Sequence, residues 1–131
     1  VRRIAALTAA LSLATVVPAT TTEALTGRCQ RYEPMMVVYA PRGGWDVRRM
    51  SRYAYRESRC NPRIVNRTGR DTGLFQVHPV TWPYLSAKFN VPMRSMQAWL
   101  KVPANNIRAA AKLCEFGRRA FGDCYQPWRT Y

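Results

Sequence analysis

The sequence is poor in acid. Its 131 residues hold 7 Asp plus Glu against 21 Lys plus Arg, a formal net charge of +14. So lopsided a chain is drawn to polyanions, and charge alone leaves nucleic acid, an anionic membrane and an anionic cell wall open as partners. Histidine is scarcer still, with one copy, His78. A single imidazole, with cysteines that form no C-x-x-C pair, gives little support to a zinc site, and no metal or organic cofactor is expected. His78 also has no Ser or Cys nucleophile pattern beside it and is read as a surface residue. Long apolar runs are missing too. A membrane-spanning helix needs roughly 20 apolar residues, and the longest run, IAALTAALSLATVV, falls short and carries Thr and Ser. Beyond that segment the chain shows no internal repeat and no low-complexity stretch.

That apolar run follows a basic start, VRR, and precedes PATTTEA, which ends on a small residue. The three-part layout is that of a secretory signal peptide, so residues 1–24 are predicted to be a signal cleaved after Ala24. Residues 25–44 read as a connecting arm broken by Pro34, Pro41 and the Gly43-Gly44 pair, and residues 45–131 as one domain. Export puts the protein outside the cell or on the cell wall and makes nucleic acid the least available partner; a monomer is expected. The cysteines fit this placement. Cys29, Cys60, Cys114 and Cys124 are even in number, and two disulfides in an oxidising compartment is the economical reading. Four cysteines admit three pairings. The expected one joins Cys114 to Cys124 across a short loop and Cys29 to Cys60, pinning the arm to the end of the first helix; the sequence leaves the other two open.

A helical pattern begins near Trp45, with Asp46 suited to its first turn, and repeats apolar or small residues at Val47, Met50, Ala54 and Ser58. It must stop by about Cys60, because Asn61 precedes Pro62 and is pushed out of the helical region. The stretch IVNRTGRDTGLFQV has β-formers at both ends and a turn-rich centre, which predicts a short hairpin or an irregular β-loop. TWPYLSAKF reads as a short helix cut by Pro83, and VPMRSMQAWL as another bounded by Pro92 and Pro103. A last helix is predicted from about Ala104 to Phe121, with Gly122 placed to end it. The fold class expected is α+β, mostly α, with a small β element after the first helix.

Glu57 stands out in RYAYRESRCNP, one acid among three arginines. At about 100° per residue, Val47, Met50, Ala54 and Ser58 share one stripe. Glu57 falls at its edge, whereas Arg48, Arg49, Arg52, Arg56 and Arg59 fall on the opposite face. Helical neighbours three and four residues away are Tyr53, Ala54, Cys60 and Asn61, so no arginine of the same helix is expected to pair with it. Burial without a cation favours the neutral form of a carboxyl group, and a general acid working near neutral pH must be neutral.

The Glu57-Ser58 pair followed by Asn61-Pro62, the run N-R-T-G-R-D-T-G-L-F-Q-V with Trp82 beyond it, and the later N-N-I-R-A-A-A-K-L together resemble the lysozyme-like superfamily. Within it they resemble especially the soluble lytic transglycosylase and related phage and actinobacterial cell-wall enzymes. The resemblance spans about Trp45 to Trp128. It implies a lysozyme-like fold with a small β-hairpin after the glutamate helix, and it makes Glu57 the catalytic acid. It also implies that Gly73, Leu74, Phe75 and Gln76 line the sugar cleft. Trp82 joins them as a candidate stacking ring and Asn106 as the family's asparagine before the isoleucine. Asp71 stands directly before T-G-L-F-Q. There it resembles the second catalytic carboxylate of chicken-type lysozymes, while an Asx turn or cap accounts for it equally well.

The function implied is a peptidoglycan-cleaving glycosidase, a lytic transglycosylase or N-acetylmuramidase. It would act on the β-1,4 bond between N-acetylmuramic acid and N-acetylglucosamine in glycan strands. The basic surface would hold it on anionic cell-wall polymers. A non-catalytic cationic wall-binding or membrane-active secreted protein is the competing class.

Overall fold

A computed structural model describes residues 29–129. The predicted signal peptide lies outside the described residues. After a 3₁₀ turn, the helices are α1 (Glu33–Gly43), α2 (Val47–Ser58), α3 (Trp82–Phe89), α4 (Met96–Leu100) and α5 (Pro103–Phe121). Among the described residues no helix is long and apolar enough to cross a membrane.

Of the segment read as an arm, residues 30–43 are helical. Pro34 sits in the first turn of α1, where its missing N–H costs nothing, and Pro41 lies inside the helix only two residues before its end. The turn is held from outside. Met36 is fully buried, and its carbonyl accepts the indole N–H of Trp45 at 3.0 Å. Helix α1 packs chiefly on α5 and secondarily on α2, so it closes the core that the two later helices frame. The Cys29–Cys60 disulfide ties the chain ahead of α1 to the end of α2, and Cys114–Cys124 ties α5 to the C-terminal segment.

Helix α2 follows its periodicity. Asp46 caps it by accepting the Arg49 N–H at 2.7 Å, and Met50, Ser51, Ala54 and Ser58 are buried. It ends at Ser58 because Arg59 and Cys60 both take left-handed backbone conformations, φ 52° and 60°. Helix α5 buries Asn106, Ile107, Ala109, Ala110, Leu113 and Cys114, and Gly122 terminates it with φ 69°. Pro83 does not cut a helix: it occupies the first turn of α3.

The expected β-hairpin is absent; among the described residues there is no strand. What stands in its place is a loop with two isolated bridges, Val65 with Thr72 and Thr72 with Val77. The physical reason is visible in the backbone. Arg70, Gly73 and Gln76 all have positive φ, at 60°, 81° and 46°, so the chain turns twice within seven residues and no run stays extended long enough to form a ladder. The fold is α-rich, with an irregular loop where the β element was expected.

Candidate active site

The loop from Thr72 to Val77 contains the G-L-F-Q residues, and its backbone groups are bonded from three directions. Asn106 of α5, fully buried, accepts the Phe75 N–H at 2.9 Å and donates to the carbonyls of Thr72 and Leu100, each at 2.9 Å. From the end of α2, the Ser58 hydroxyl lies 2.8 Å from the Leu74 carbonyl and 2.9 Å from that of Ala54. From the C-terminal segment, the indole N–H of Trp128 donates to the Phe75 carbonyl at 3.2 Å. Gly73 is needed for two reasons, its φ of 81° and the 2.1 Å that would separate an added Cβ from the Asn106 amide nitrogen.

A pocket of about 490 Å³ opens beside this loop. Glu57 borders it from the last turn of α2. Asn66, Thr68 and Asp71 border it from the turn, Gln76 and His78 from the far end of the loop, and Leu113 and Trp128 from behind. The Asn66–Asp71 turn is closed by the Asn66 N–H on the Asp71 carbonyl, 2.9 Å, and by an Asx turn in which Asn66 Oδ1 accepts the Thr68 N–H at 2.8 Å.

The sequence-predicted residues divide between the pocket and its support. Glu57, Asp71 and Gln76 line it together. Gly73, Leu74, Phe75, Trp82 and Asn106 are not among the residues that border it: Leu74 and Asn106 are fully buried, Phe75 and Trp82 are buried, and all four belong to the packing behind the loop. Gln76 Nε2 donates to the Gly73 carbonyl at 2.9 Å, so its side chain serves the loop as well as the pocket.

Glu57 is 19% exposed, and it is paired, contrary to the helical-wheel expectation. Arg56 Nε donates to Glu57 Oε1 at 2.9 Å, and a terminal nitrogen of the same guanidinium contacts that oxygen too. The wheel considers neighbours three and four residues away. Arg56 is adjacent in sequence and reaches Glu57 because its long side chain lies across the Tyr53 ring, 4.7 Å from the centroid, and bonds the Trp128 carbonyl. Both bonds fall on Oε1, and Glu57 keeps its place on the pocket wall.

Trp128 and His78 line the pocket without having been expected there. Trp128 borders the pocket and carries the Phe75 bond, a role no local pattern announces. His78 is half exposed, as a surface residue would be, yet it lines the pocket beside Asp71, its Nε2 lying 3.8 Å from Asp71 Oδ1. Among the described residues no cluster of His, Cys, Asp or Glu could hold a metal ion.

Comparison with known proteins adds one positive finding. No curated protein and no solved structure matches the chain. The model of the transglycosylase SLT domain family matches residues 42–131, which takes in α2 with Glu57, the G-L-F-Q loop, α5 and the C-terminal segment around the pocket, and the chain belongs to that family.

Proposed function

We propose that this chain cleaves the glycan strands of peptidoglycan at the β-1,4 bond between N-acetylmuramic acid and N-acetylglucosamine, with Glu57 as general acid. One observation carries the reading: a mostly buried carboxylate at the end of α2 borders a pocket that Gln76 of the G-L-F-Q loop also lines, in a chain that belongs to the transglycosylase SLT domain family.

The chemistry follows from the placement. Glycosidic cleavage needs a proton on the leaving oxygen while positive charge builds at the anomeric carbon. Protonated Glu57 gives that proton, and Oε2 is the oxygen free to do so because the Arg56 bonds occupy Oε1. The resulting carboxylate, facing Arg56, then takes a proton from the oxygen that attacks the anomeric carbon. That oxygen is the sugar's own 6-hydroxyl if the product is an anhydro sugar, or water if it is hydrolysed. Gln76 supplies polar contacts to the sugar, while Gly73, Leu74, Phe75, Trp82 and Asn106 contribute by fixing the loop. Export through the N-terminal signal brings the enzyme to the wall, and its excess of Lys and Arg over Asp and Glu keeps it on anionic wall polymers.

The test is turbidity clearing of purified cell walls by the wild type and by Glu57→Gln. The wild type should clear them, and the variant should lose at least about a hundredfold in rate while still sedimenting with the walls. Equal clearing by both, or none by either, would replace the enzyme with a cationic wall-binding or membrane-active protein.

A further inference from the structure

The pocket uses one arginine of α2, Arg56, and leaves the other cations of that helix without a role. Helix α2 carries Arg48, Arg49, Arg52 and Arg56, with Arg59 at its C-terminal cap, and it has no lysine. Its one carboxylate, Glu57, is taken by Arg56. Among the described residues, Arg48, Arg49, Arg52 and Arg59 form no ion pair. Like charges at this spacing repel one another, so the face is unfavourable to the chain alone and is relieved by an anion from outside.

The arginines form a line. At about 100° and 1.5 Å per residue, Arg48, Arg52 and Tyr55 fall within an arc of about 60° along the helix, and Arg48 and Arg52 are exposed. Arg59, exposed just past the last turn, lays its guanidinium over the Tyr55 ring, 4.7 Å from the centroid. The row from Arg48 to Arg59 is therefore about 16 Å long. Arg49 flanks it, its guanidinium 3.9 Å from the centroid of Tyr125, which stacks on Tyr53 at 5.8 Å. A guanidinium laid on a ring has its plane fixed while its N–H edge stays open to acceptors.

That edge is a fork that matches the paired oxygens of a phosphate or a carboxylate. The line of forks favours one of the two. Carboxylates in peptidoglycan hang from its peptide branches, whereas a polymer joined by phosphodiester links carries one anion per repeat in its backbone and can lie along a row.

We propose that the arginine face of α2 is a docking surface for a wall-attached phosphodiester polymer, seated along Arg48, Arg52 and Arg59 with Arg49 at its flank. The choice of a wall polymer rests on the glycan-cleaving reading of the pocket. Arg56 joins the two, since it belongs to the same helix and holds Glu57 on the pocket wall.

The experiment measures binding of poly(glycerol phosphate), polyglutamate and single-stranded DNA of matched charge across a range of salt. It compares wild type with the triple variant Arg48→Gln, Arg52→Gln, Arg59→Gln and with the triple lysine variant at the same positions. These side chains are exposed and without ion pairs, so both variants should melt near the wild type. Should the triple glutamine variant fail to fold, Arg48→Gln with Arg52→Gln, which leaves Arg59 on Tyr55, makes the same comparison. Wild type should bind poly(glycerol phosphate) most tightly. The glutamine variant should lose about tenfold or more, and its log–log salt slope should flatten by about 2, at about 0.7 per lost phosphate contact on a flexible strand. The lysine variant should lie between, because it keeps the charge and loses the fork. Equal binding by the wild type and either variant, or tighter binding of polyglutamate or of DNA, overturns the proposal. Wall clearing separates it from the reading of the pocket. The glutamine variant should clear walls stripped of phosphodiester polymer at the wild-type rate, and Glu57→Gln should bind poly(glycerol phosphate) like the wild type and clear nothing. Walls cleared equally by Glu57→Gln and wild type would sink the pocket reading and leave the arginine face to stand or fall on the binding series.

Discussion

Asn106 and Phe75 stand 31 residues apart in sequence and meet through a 2.9 Å bond from the Phe75 N–H to the Asn106 side-chain oxygen. The same amide also holds the Thr72 and Leu100 carbonyls, so one buried side chain joins α5, the end of α4 and the pocket loop. Asn106→Ala leaves those three backbone groups unpaired in the interior. The expected loss is about 2–4 kcal/mol, read as a fall in melting temperature of about 10 °C or more. Asn106→Leu should be no better, because it restores volume without the bonds. A variant melting within about 1 °C of the wild type would show that the loop does not depend on this residue.

The two disulfides should differ in what they contribute. Cys29 and Cys60 close 31 residues and Cys114 and Cys124 close 10. In the chain-entropy account a longer loop constrains the unfolded chain more, here by about 1 kcal/mol. Replacing Cys29 and Cys60 together by Ser should therefore lower the urea midpoint more than replacing Cys114 and Cys124. The reverse order would mean that folded-state packing at the C-terminal segment outweighs loop closure.

Local periodicity made α2 and α5 legible, since Met50, Ala54 and Ser58 are buried where their spacing put them and Gly122 ends the last helix. Local propensity misled at α1. Pro34 and Pro41 look like breakers, but one falls in the first turn and the other near the end, and Met36 buried in the core stabilises the turns between. The hairpin expectation failed because the chain turns tightly at Arg70 and Gln76, both at positive φ, with the Arg70 N–H on the Asn66 carbonyl and the Gln76 N–H on the Gly73 carbonyl, and β-propensity does not register such turns. At the site, Glu57 and Asp71 were readable as motif positions. The Arg56 clamp and the approach of His78 to Asp71 were not, since both depend on where side chains fall in three dimensions.

Glu115 gives a prediction with a defined sign. Its carboxyl is held below the ordinary carboxylate range, first by the hydrogen bond from Lys112 at 2.8 Å, with the charges of Lys112, Arg119 and Arg118 adding to it and burial opposing. A carboxyl depressed in the folded state adds stability above its unfolded range and loses that contribution as pH falls through the folded value. Glu115→Gln should therefore cost about 0.5 kcal/mol at neutral pH and converge with the wild type in acid. Melting curves across that range measure it, and a deficit that persists at the acid end would assign the effect to packing instead.

Arg56 offers the sharpest separation of stability from chemistry. Its guanidinium is 45% exposed, so losing its ion pair with Glu57 should cost no more than about 1 kcal/mol, and Arg56→Gln should fold. Catalysis should respond differently. The guanidinium holds Glu57 Oε1 through two nitrogens and so fixes the carboxyl on the pocket wall, and a loosely held catalytic group loses rate. Wall clearing by Arg56→Gln should therefore fall about tenfold while the melting temperature stays near that of the wild type. Arg56→Lys keeps a charge but cannot make the same two-nitrogen contact, so its rate should lie between the two. Equal clearing rates for wild type and Arg56→Gln would mean that the clamp does not position Glu57, which leaves Arg56 with only its bond to the Trp128 carbonyl.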